Sequence, residues 1–248
     1  MRRRPFGARV VLILALCLAA CSTHSKEPRQ PVISAQLQAL SDKEVDERLA
    51  YLEPKLDDGR LYATIWHRGW VAFYLLGVVV ESYLAATTDD SAKRADYIVG
   101  AIKAPGGAFS LLWYGLRAQE GADPVRELPD ATREDRLRRL ALAEKLLAQD
   151  AKEAERRWSW KRHLLNVGIN SAGALIVGEG FGDRERAWRS AGIGIGVGEV
   201  MIWSQPWEAP DKLAEYERRF GTSVETAPTA WQLDIVPIQN GAAVQVAF

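Results

Sequence analysis

Hydrophobic and polar positions fall along this chain in blocks, each with its own period. Residues 10–20 (VVLILALCLAA) form a short unbroken apolar run, and 22–36 are polar with Pro28 and Pro31. From Ser41 the pattern turns helical. Ser41 and Glu44 have capping-box spacing, and Val45, Leu49 and Leu52 recur every three to four residues. That helix is expected to stop near Pro54 and Asp57-Asp58-Gly59.

Four long apolar segments follow, in two pairs. Residues 69–86 are interrupted only by Glu81, and 95–116 carry Lys103 and an expected break at Pro105-Gly106-Gly107. The short TTDDS link at 87–91 predicts antiparallel neighbours. The second pair is 164–181 and 187–203, separated only by 182–186. Between the pairs, 132–157 reads as a charged amphipathic helix. Leu137, Leu140, Leu147, Ala151, Ala154 and Trp158 form its buried stripe, and Glu134–Arg138, Asp135–Arg139 and Glu153–Arg157 are favourable i,i+4 pairs. A short helix at 211–220 ends at Gly221, and 231–238, Asn240-Gly241 and 243–248 read as strand, tight turn, strand. The expected fold is mainly α: two glycine-rich apolar helical hairpins around a long amphipathic helix, with a C-terminal β-hairpin. Its parts are a leader (1–20), a flexible tether (21–36), a helical domain (37–221) and a hairpin tail (222–248).

The leader has its own logic. Arg2, Arg3, Arg4 and Arg9 precede an eleven-residue apolar core, too short for the roughly 20 residues that span a bilayer. This is the layout of a secretory signal peptide. Its end, Leu18-Ala19-Ala20-Cys21, resembles the lipobox of bacterial lipoproteins. The resemblance implies that the Cys21 thiol takes a diacylglyceryl group, that the chain is cut before it, and that the new amine is acylated. Ser22 rather than aspartate implies export to the outer membrane, facing the periplasm. The first partner expected is therefore a membrane, held through lipidated Cys21.

Loss of 1–20 removes four arginines and no acid, leaving a net charge of −4. That excludes a nucleic-acid footprint, which needs a basic stripe. With Cys21 lipidated no free thiol remains, and only His24, His67 and His163 offer imidazole, so no metal or cofactor is expected. The nine tryptophans mostly flank apolar segments, a placement that suits a membrane interface and the rim of a helical bundle alike.

Nine glycines lie between Gly168 and Gly198, each costing about 1 kcal/mol against alanine in a helix. Close backbone approach is the usual offset. Ser190, Gly194 and Gly198, and separately Gly192 and Gly196, have the small-xxx-small spacing that permits it. The apolar lengths permit membrane entry, but Glu81, Lys103, Asn166, Asn170, Glu179 and Glu199 are expensive in lipid. A compact helical body of tightly packed hairpins held against the membrane is expected, with embedding as the alternative.

Candidate chemistry is confined to polar residues in the apolar pairs. His163, Asn166 and Asn170 share a helical face that Glu179 and Glu199 would meet if the second pair folds back, and Glu81 is the acid of the first pair. No serine-nucleophile motif, HExxH or paired-carboxylate signature accompanies them, so an enzyme is the weaker expectation. Three functions compete. The first is a structural or interaction lipoprotein with an envelope protein partner. The second is a membrane-inserting, pore-forming or toxin-like protein. The third is a hydrolase-like enzyme using Glu179, His163 and Glu199.

Overall fold

A computed structural model describes residues 31–221, and two short stretches, 232–238 and 241–247, outside the helical body. The leader, Cys21 and the tether as far as Gln30 lie outside the described residues, as do 222–231. The described body is helical: α1 (Ala35–Gln38), α2 (Asp42–Asp57), α3 (Arg60–Thr87), α4 (Ser91–Tyr114), α5 (Asp123–Arg126), α6 (Arg133–Arg157), α7 (Trp160–Phe181), α8 (Arg184–Trp203) and α9 (Ala209–Phe220).

Two kinds of packing divide these helices. Amphipathic α2, α6 and α9 bury one stripe each and form a cap. Val45, Leu49, Leu52 and Leu56 of α2 meet Leu137, Leu140 and Leu147 of α6, with Tyr216 of α9 fully buried between them. Each such aliphatic side chain contributes about 1.5–3 kcal/mol by leaving water. The α2 capping box forms as expected: the Ser41 hydroxyl accepts from the Glu44 N–H, and the Ser41 N–H donates to the Glu44 carboxylate at 2.8 Å. Thr132 and Asp135 build a second one on α6, which removes Asp135 from the expected pair with Arg139. Arg139 instead reaches Glu53 at 2.8 Å and Asp130 at 2.9 Å.

A buried ion pair sits inside this cap. Arg48 donates to Glu144 and to the Tyr216 hydroxyl, each at 3.3 Å, and to the Phe220 carbonyl at 2.8 Å. Tyr216 donates to Glu144 as well. The extra hydrogen bonds matter, because two desolvated charges hold only when their remaining polar atoms are satisfied.

The apolar segments form two antiparallel hairpins, α3 with α4 and α7 with α8, joined through α4 against α7. Gly59, at φ 86°, ends α2 and lets α3 start at Arg60, well before the expected apolar onset. The expected break at Pro105 does not occur, and α4 runs through it. Close packing against α3 offsets the lost hydrogen bond: a Cβ on Gly107 would lie 2.6 Å from Tyr74 Cε1, so the ring rests on bare backbone.

The hairpins pack closely, but their large apolar side chains are not turned inward. Their large side chains point out: Leu76, Val79, Ile98, Ile102, Phe109, Leu164, Ile176, Ile193 and Val200 are all exposed. Two stretches are long and apolar enough to cross a membrane, one within Asp42–Thr87 and one in Trp160–Phe181. A soluble core helix would be mostly buried, but here the buried share is 0% and 28%. A short polar junction ties hairpins to cap. Trp66 Nε1 donates to Ser204 Oγ at 3.1 Å, Arg60 Nε donates to the Gln119 carbonyl at 3.0 Å, and Arg117 chelates Asp150 of α6.

Candidate polar site inside the apolar hairpins

With apolar side chains outside, the polar ones collect inside. Asn166 and Asn170 are one turn apart on α7, so both lie on the face turned to α8, and Asn170 also reaches α4. Asn166 Nδ2 donates to Glu199 Oε1 and to the Ile195 carbonyl, both at 2.9 Å. His163 Nδ1 lies 2.6 Å from Glu199 Oε2. Asn170 Nδ2 donates to Asn166 Oδ1 at 3.1 Å, and Lys103 Nζ of α4 donates to Asn170 Oδ1 at 3.0 Å. One hydrogen-bonded chain therefore runs from the cap end of α7 to the middle of α4.

Glycines make this chain possible. A Cβ on Gly194 would overlap the Asn170 amide, and one on Gly198 the Asn166 amide. Gly173 leaves similar room, with Val99 Cγ1 at 3.0 Å and Lys103 Nζ at 3.7 Å from its would-be Cβ. Gly192 and Gly196 meet nothing within 4 Å, and Ser190 is only half-buried. Of the five expected packing positions, Gly194 and Gly198 thus face the neighbouring helix, where polar amides fill the space.

The far end of the hairpins has a second charged group. Arg186 Nε lies 3.2 Å from Asp96 Oδ2, and its guanidinium stacks over Tyr97 with 5.4 Å to the ring centroid. Glu81 of α3 lies against Gly100 within the electrostatic reach of Lys103, Asp96 and Arg186.

The expected cluster is thus met in part. His163, Asn166, Asn170 and Glu199 come together. Glu179 does not join them: sixteen residues beyond His163, it lies about 24 Å along the helix and pairs with Arg184 at 2.8 Å on the surface. Glu81 belongs to the other end of the interior. Lys103 and Asp96 were not expected as members. Lys103 read as a cost in an apolar segment, although its position midway along α4 was the available signal. Among the described residues, no group of three or more His, Cys, Asp or Glu side chains is placed to hold a metal ion.

Chemically, the His163–Glu199 pair holds a partly exposed imidazole in a fixed orientation, with Asn166 fixing the carboxylate in turn. Trp158 and Trp203 wall the imidazole, their rings crossing edge to face at 4.5 Å. That arrangement fixes the imidazole of His163, but no serine, threonine or cysteine joins the chain of contacts described above. No protein-family model matches the chain, and no curated protein or solved structure matches it significantly.

Proposed function

We propose that this protein is a lipid-anchored envelope lipoprotein whose two hairpins are embedded in the bilayer, and whose amphipathic cap stands outside as a platform for an envelope protein partner. The inversion of polarity in α3, α4, α7 and α8 carries this reading. Apolar side chains outside and paired polar ones inside is the arrangement lipid requires and water penalises.

Aromatic residues support the depth. Tyr62, Trp113, Trp160, Trp203 and Trp207 are exposed at the cap end, and Tyr83, Phe181 and Trp188 at the opposite end. From Tyr62 to Tyr83 on α3 is about 32 Å at 1.5 Å per residue, and from Trp188 to Trp203 on α8 about 23 Å, bracketing the roughly 30 Å hydrocarbon core. The charged residues of α4 and α8 fall either at the hairpin tips or on the inward face, so neither helix presents charge at mid-depth to lipid. The C-terminal hairpin, read from alternating residues at 231–238 and 243–248, belongs to this proposal as a surface element. A hydrolase using Glu179 with His163 gains no support from a 24 Å separation along α7.

Embedding also bears on location. Ser22 implies sorting to the outer membrane, where spanning helices are rare, whereas hairpins of this kind suit the inner one. The test exchanges the leader for an ordinary cleavable signal, carries Cys21→Ala, and washes membranes in carbonate. Retention of the unlipidated chain in the pellet, at inner-membrane density, is the expected result. Release into the supernatant sinks embedding and restores a peripheral body held by lipid alone.

A further inference from the structure

The outer face of α7 holds an open groove of about 520 Å³, and its lining changes character along the helix. Leu164, Leu165, Ile169 and Ala172 make it apolar, and Gly168, with nothing within 4 Å of its would-be Cβ, makes it concave. At the cap end it closes on Trp160 and Lys161. Lys161 is exposed and makes no ion pair among the described residues. The first turn of α7 contains no acid, and Ser159 leaves its N–H groups without a side-chain cap.

We infer that this groove is the seat of one anionic phospholipid, its acyl chain along Gly168 and its phosphate against Lys161. The inference rests on the embedded reading above. Ordinary bilayer lipid would cover a plain apolar helix, but this face adds positive charge at headgroup depth, directly above a depression in the apolar surface. A cation near an anionic headgroup and a positive helix end act in the same direction. A second copy of this chain is the competing occupant, since Gly168 and Ala172 have helix-packing spacing. Copies in one membrane share orientation, so a twofold contact along α7 would set Lys161 against Lys161 with no acid in the turn to offset it. Charge therefore favours the lipid.

Trp160 reports on the site. The full mature protein is reconstituted into vesicles of phosphatidylcholine and phosphatidylglycerol, with bromine on the chains of one lipid or the other. The Trp160 signal is the difference between the native protein and Trp160→Phe. Brominated phosphatidylglycerol should quench that signal as if enriched about fivefold over its share of the bilayer, the bias one lysine near the headgroups supplies. Lys161→Gln should return it to the bulk share, and Lys161→Arg should keep it. Equal quenching by the two lipids overturns the site and leaves embedding standing, as does enrichment that survives Lys161→Gln. Quenching of the other tryptophans with Trp160 spared means a second copy covers the face, which also overturns it. Absence of quenching by brominated phosphatidylcholine at every tryptophan overturns embedding itself.

Discussion

At the residue scale, two glycines one turn apart do different work from the two beside them. Gly194 and Gly198 face Asn170 and Asn166, while Gly192 and Gly196 face outward. In Gly198→Ala the Asn166 side chain must swing away, which breaks its hydrogen bonds to Glu199 and the Ile195 carbonyl. A loss of about 1–3 kcal/mol is expected, read as a lower unfolding temperature in detergent. Gly196→Ala should instead be neutral or stabilise by up to about 1 kcal/mol, because only the helix propensity changes. If both variants behave alike, the inward and outward faces of α8 are misassigned. The spacing of these glycines was legible in the sequence, but the choice between interleaved sets was not, since i,i+4 repeats at even numbers look the same from either face. Arg48 and Glu144 were hidden differently. Each interrupts an apolar stripe where an isolated charge reads as solvent-facing, and only the Tyr216 and Phe220 contacts from a distant helix explain it. Arg48→Met should destabilise by about 3–5 kcal/mol by leaving Glu144 short of its cation.

At the element scale, the caps and the ties between cap helices set the response to acid. Hydrogen bonds from the Ser41 side chain and backbone hold the Glu44 carboxyl below the usual carboxylate range, and those from Thr132 do the same for Asp135. Lys55 and then Tyr51 lower Glu215, and at Asp57 burial is outweighed by hydrogen bonds from Arg126 and the Ala122 N–H. All four bind protons less readily folded than unfolded. Their stabilisation is therefore present above the unfolded values, about 4, and is lost as pH falls through the lower folded ones. Helical signal followed against temperature should show the midpoint flat from neutral pH to about 5 and falling below about 4. Glu44→Gln combined with Asp135→Asn should flatten that fall, and an unchanged profile would show the caps to be irrelevant. Element boundaries were mostly readable, because capping signals and three-to-four periodicity are local. The failures were non-local. Pro105 passes through α4 because Tyr74, on another helix, packs against Gly107. The first nine residues of α3 were missed because Ala63, Trp66 and His67 are buried only once the cap sits beside them.

At the scale of the molecule, polar partners step along the interior of the hairpins from tip to cap. Asp96 meets Arg186, Lys103 meets Asn170 with Glu81 in its field, and Glu199 meets His163 and Asn166. Read singly in the sequence, these residues argue against lipid, since each charge is costly there. Together they are compatible with it, because each finds a polar partner or an opposite charge inside the hairpins while large apolar side chains face outward. Glu81 and Lys103 test that logic, as they come from different helices and Lys103 lies midway along α4. Removing either charge alone, with Glu81→Gln or Lys103→Met, should cost about 2–3 kcal/mol, seen as lower folded yield in membranes and an earlier unfolding midpoint in detergent. Removing both should cost less than the sum of the two single losses, because each charge lies in the field of the other, although Asn170 still loses its hydrogen bond from Lys103. Additive losses would mean that the two charges act independently, with water reaching at least one of them. The hairpins would then have to stand in an aqueous setting despite their exposed apolar faces.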